Sequence, residues 1–81
     1  MSDSYRSARL ITTAGLTLTT GTFNGLMSNI SQTVTIGGNK LFNSTGSNVS
    51  GLTFTAAAGI VVPVRCQHIK PNTSNVVGFL D

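Results

Sequence analysis

Apolar residues in this chain recur mostly at every second position, the period of a strand with one buried face. The segment 30–36 places Ile30, Val34 and Ile36 on one side and Ser31, Thr33 and Thr35 on the other. Leu52-Thr53-Phe54-Thr55-Ala56 alternates in the same way. Leu16, Leu18 and Phe23 are interleaved with Thr17, Thr19, Thr20 and Thr22, and β-branched threonine suits the exposed side of a pleat. No window of ten or more residues carries a helical stripe.

Turn signals separate these runs. Gly37-Gly38-Asn39 predicts a tight hairpin turn, with Lys40-Leu41-Phe42 as a short returning strand. Residues 43–51 are loop-like in composition, and Ala58-Gly59 marks another turn. The segment Ile60 to Lys70 is the longest strand candidate, apolar on both faces at Ile60, Val61 and Val62, as in a central or interface strand. Pro63 cannot donate to a ladder, so it requires an edge or a bulge. Pro71-Asn72-Thr73-Ser74 predicts a hairpin loop before a last strand over residues 75–80. The sum is an all-β single domain over residues 10–81, a small β-sandwich or partly open β-barrel of six to seven short strands, preceded by an extended, flexible N-terminal arm over residues 1–9. Its expected core is Ile30, Val34, Ile36, Leu52, Phe54, Ile60, Val62, Val64, Val76 and Phe79.

Composition changes the picture in one respect. Only 9% of the 81 residues are charged, against about 25% in an average soluble protein, so uncharged hydroxyls and amides must cover the surface. A chain this short buries only about 60% of the surface that its unfolded form exposes and usually needs a staple. Cys66 is the only cysteine, which excludes a disulfide within one chain, and Cys66 with His68 is too small a ligand set for a structural metal. Subunit association is the remaining staple. No apolar run approaches the roughly 18 residues of a membrane span, and no signal-peptide core precedes the first strand, so the expectation is a soluble chain with no membrane partner.

Candidate chemistry is sparse. Cys66 and His68, two residues apart on one strand, would share a face, the geometry of a thiolate–imidazole pair. The same face holds Val62 and Val64, so the plainer reading is an apolar row whose polar end is capped by the imidazole. The only carboxylate side chains are Asp3 and Asp81, too few and too remote to orient His68 or to form an acid–base pair. The expectation is no enzyme, no cofactor and no metal. Five basic residues, Arg6, Arg9, Lys40, Arg65 and Lys70, give a net charge of +3, but they are too scattered for a nucleic-acid stripe.

The block from Gly51 to Phe79, with Gly59-Ile60-Val61-Val62-Pro63 leading through a polar turn into Asn75-Val76-Val77-Gly78-Phe79, resembles the ending of small structural proteins of tailed bacteriophages. Upstream, Thr20-Gly21-Thr22-Phe23 followed by Leu26 is similar to their first strands. The resemblance implies a virion component of the capsid decoration or cement type, located on the capsid surface, with the major capsid protein as partner and often trimeric. It carries no catalytic positions. The rival readings are a tail-fibre, receptor-binding or adhesin-like virion component, and a small basic nucleic-acid-binding β-barrel. On the capsid decoration reading the partner-binding residues are Tyr5, Arg6 and Arg9 of the arm. Val61, Ile69 and Val77, with exposed strand edges, would join a homotrimer.

Overall fold

A computed structural model of the chain describes residues 7–80, apart from the side chains of residues 39 and 40. Tyr5 and Arg6 lie outside the described residues. Within them the protein is all-β, with eight strands: β1 (Ser7–Ile11), β2 (Leu16–Thr17), β3 (Gly25–Ser28), β4 (Gln32–Phe42), β5 (Asn48–Ala56), β6 (Val61–Val62), β7 (His68–Pro71) and β8 (Val76–Leu80). They form two four-stranded antiparallel sheets, one in the order β1-β8-β3-β6 and the other in the order β2-β7-β4-β5, which do not close into a barrel. We call them the first and second sheet. Only β4 and β5 are consecutive strands that pair with each other.

The core lies between the two sheets. Ile11, Leu26 and Val76 enter it from the first sheet, and Val34, Ile36, Ala56 and Ile69 from the second. Phe23 and Cys66 complete it from two of the stretches where the chain passes between sheets, 18–24 and 63–67. These crossings lie side by side: Phe23 N donates to Cys66 O at 2.7 Å and Cys66 N to Phe23 O at 3.2 Å, while Leu18 N donates to Gln67 O at 2.9 Å. The Phe23 ring has room because of a glycine. A Cβ on Gly78 would lie 2.7 Å from two ring carbons of Phe23 and 2.8 Å from Ile11 Cδ1.

Asn24, Ser28 and Gln32 are the buried polar side chains among the described residues, and all the hydrogen-bonding capacity of the Gln32 amide is used. Gln32 Nε2 donates to Ser28 Oγ at 2.9 Å and to Ser74 O at 3.0 Å, while its Oε1 accepts from Thr73 N at 2.9 Å and Ser74 N at 3.0 Å. Ser28 Oγ in turn donates to Ile30 O at 2.6 Å. The amide therefore ties the start of β4 to the end of β3 and to the β7–β8 connection.

Several expectations are corrected. Gly37-Gly38-Asn39 is no hairpin turn but the middle of β4; the turn comes at residues 43–47, where Asn43 Oδ1 accepts from Thr45 N, Thr45 Oγ1 and Ser47 N and Gly46 takes a φ of +90°. The glycines serve close approach instead. Ile36 opposes Leu52 while Gly38 opposes Val49, so β5 bulges by one residue there, and a Cβ on Gly37 would collide with the Ser50 carbonyl. Residues 60–70 do not form one strand: β6 ends at Val62, before Pro63, and β7 resumes at His68 in the other sheet. Residues 72–75 are likewise a crossing between sheets, because β7 and β8 belong to different ones. Ser7, Ala8 and Arg9, assigned to the arm, form the first three positions of β1. Of the expected core, Ile30, Leu52 and Ile60 are exposed, since they sit beyond a strand end, on an edge strand and in a turn respectively, and Phe79 falls on the outer face of its sheet, in register with Ala8 and Gly25. Ile11, Leu26, Ile69 and Cys66 take their place.

Two substitutions probe this packing. Replacing Gln32 with methionine keeps the volume but strands the Thr73 and Ser74 amides, and is expected to lower unfolding free energy by about 3 kcal/mol in urea titration. Gly78→Ala forces a methyl group against Phe23 and Ile11 and is expected to cost about 1–3 kcal/mol in the same measurement.

Candidate binding surfaces

Each strand of the first sheet contributes an adjacent pair of apolar residues, and neighbours along a strand point to opposite faces. The inward members are Ile11, Leu26, Val62 and Val76. The outward members are Leu10, Met27, Val61 and Val77, and the strand register sets them in line: Leu10 opposes Val77, Val77 opposes Met27, and Met27 opposes Val61. A second row beside it runs Ala8, Phe79, Gly25. The outer face of this sheet is thus an apolar band four strands wide, with Leu10 67% and Val61 40% exposed at its two ends. A shallow cavity of about 250 Å³ opens on it, lined by Leu10, Met27 and Val77 and rimmed by Asn29, Ser74 and Asn75. Among the described residues no charged side chain lines it.

The second sheet is built in the opposite way. Over residues 33–36, 52–56 and 68–71 its strands alternate, so Val34, Ile36, Ile69 and Pro71 go inward while Thr33, Thr35, Thr53, Thr55, His68 and Lys70 go outward. Thr35 and Thr53, opposite each other on β4 and β5, share a hydrogen bond at 3.0 Å between their hydroxyls. Thr17 Oγ1 lies 2.7 Å from His68 Nδ1. Among the described residues this face presents hydroxyls with the Lys70 ammonium and the His68 imidazole.

The expected cysteine–histidine row is not formed. The chain kinks between Cys66 and β7, so that Cys66 is buried beside Phe23 while His68 points to the threonine face, half-buried. Ile69, not His68, continues the apolar row, and for the same reason Ile69 is fully buried in the core and offers nothing to a partner. Desolvation by burial pushes the Cys66 thiol up to about 11, which keeps it protonated and poorly nucleophilic. Among the described residues no three His, Cys, Asp or Glu side chains come together, and no helix is long and apolar enough to cross a membrane.

Of the residues expected to bind a partner, Val61 and Val77 lie in the apolar band and Arg9 is exposed on β1. Leu10 and Met27 were not among them. The signal for both was present as the doublets Leu10-Ile11 and Leu26-Met27, which place apolar side chains on both faces of a strand.

The thiol offers a direct check. A shift from 9.0 to about 11 leaves roughly 100-fold less thiolate at pH 8, so labelling of the folded protein by a disulfide reagent is expected to be at least that much slower than in denaturant. Because the folded state holds its thiol proton more tightly than the unfolded chain, this contribution to stability is complete below pH 9.0 and is lost as the pH rises towards 11. Cys66→Ala should lack that component of the alkaline fall.

No family model matches the chain, and neither the curated proteins nor the solved structures contain a match to it.

Proposed function

We propose that this is a non-enzymatic structural protein of a tailed-bacteriophage virion, of the capsid decoration or cement type, which attaches to the outer capsid surface through the apolar band of its first sheet. The observation that carries the reading is the aligned row Leu10, Val77, Met27 and Val61. A monomer gains nothing by arranging four outward apolar side chains in register across a whole sheet, whereas a docking surface needs such a desolvated centre. The polar rim of Asn29, Ser74 and Asn75 supplies uncharged donors and acceptors around it.

Charge supports the same assignment. Residues 7–80 contain no Asp or Glu, so Arg9, Lys40, Arg65 and Lys70 have no carboxylate side chain to pair with inside that span. A partner surface that is acidic or uncharged is favoured, and a basic one is disfavoured. The virion location itself comes from the resemblance of residues 51–79 to phage structural proteins. Many copies on a symmetric shell add their affinities through avidity, so a band of this modest size suffices.

The test is reconstitution on purified particles. The protein should co-sediment with capsids at fixed stoichiometry, and Leu10→Lys combined with Val77→Lys should reduce occupancy at least tenfold while circular dichroism stays β-rich. Undiminished occupancy of the double variant would overturn the assignment of the band, and binding to host cells without binding to particles would favour an adhesin.

A further inference from the structure

The four sheet edges are not equally protected. Natural sheets guard their edges by shortness, charge or proline, since a bare edge pairs with any strand that reaches it. The edge strands β2 and β6 have two residues each, and Pro63 follows β6 directly. The edge strand β1 carries Arg9 at its centre. The fourth, β5, runs for nine residues, Asn48–Ala56, with neither a charged residue nor a proline. Among the described residues only β4 pairs with it.

The core also stops short at this edge. On the inner side of the second sheet one register row runs Leu16, Ile69, Ile36, Leu52 and the next runs Pro71, Val34, Phe54. Both rows are buried in the middle and emerge at β5, where Leu52 is 45% exposed and Phe54 is half-buried. A further strand would cover both.

We infer that this strand is β5 of a second copy, paired antiparallel about a two-fold axis near Thr53, so that two four-stranded sheets become one of eight. Antiparallel pairing sets like faces opposite one another: Leu52 of each copy would meet Phe54 of the other on the core side, and the two Thr53 side chains would meet on the outer side. In a chain whose charged residues between 7 and 80 are all cations, a self-pairing edge must be one without them, and β5 satisfies that whereas β1 would bring Arg9 close to Arg9. The contact is isologous and closes at two copies, in place of the three-fold assembly expected from the sequence. It uses the sheet opposite the proposed capsid band and stands independently of that reading.

Light scattering of the intact protein at micromolar concentration should give twice the 8.4 kDa chain mass. Thr53→Lys places ammonium groups across the two-fold and should raise the dimer dissociation constant at least tenfold with the far-ultraviolet spectrum unchanged. Thr53→Cys should cross-link two copies under mild oxidation, because Cys66 is buried and cannot compete. Leu10→Lys should leave the dimer intact. A monomer, a three-copy mass, or a Thr53→Lys protein that remains dimeric would each refute the inference, as would a Thr53→Cys protein that forms no cross-link.

Discussion

Gln32 stands at the first position of β4, where a side chain that alternates inward must enter the core, and its carboxamide meets there two backbone amides, one carbonyl and one hydroxyl drawn from two separate segments. A buried amide left short of partners would cost more than its neighbours could supply, but one with two donors and two acceptors engaged fixes geometry as well as energy. Ser28 belongs to the first sheet, Gln32 to the second, and Ser74 to the crossing that joins them. The spacing of the sheets at this end thus depends on one amide. At the other crossings the Phe23 ring seated over Gly78 has the same role by packing alone.

The β class and most strands could be read from alternation, because a two-residue period has one physical cause. What escaped were the places where chain direction changes within a strand-like run. Residues 60–70 look continuous, yet Pro63 ends the ladder and the chain changes sheets, rotating Cys66 and His68 to different surroundings. Gly37 and Gly38 have turn composition, but a glycine is also what a strand needs where another backbone comes too near for a Cβ; local sequence does not distinguish these cases, since the Ser50 carbonyl and Gln67 arrive from distant segments. Leu52 alternates like a core residue and is exposed only because its strand ends a sheet, a property of topology.

The candidate surface was half legible. A strand that alternates apolar and threonine has one wet side, and a strand with an apolar doublet has none. Val61-Val62 announced this, and the same logic applies to Leu10-Ile11, Leu26-Met27 and Val76-Val77, although Leu41-Phe42 at the end of β4 is a doublet in the other sheet. That the four doublets stand in register follows from strand pairing and could not be known from spacing. The outcome is a sandwich with a dry face and a wet face, a division of labour suited to a molecule that lies on one surface and presents another to solvent.

The strand order of the first sheet bears on how the chain becomes organised in time. Val76–Leu80, the strand furthest along the chain in this fold, is not added at an edge but inserted between β1 and β3, which are not neighbours in the sheet. Without those residues the first sheet is two pieces, β1 and the β3–β6 pair, with no strand joining them. Contacts so distant in sequence are slow to close and reward the chain only together. The first sheet and its apolar band are therefore completed only when β8 takes its central place, since Val77 joins Leu10 to Met27.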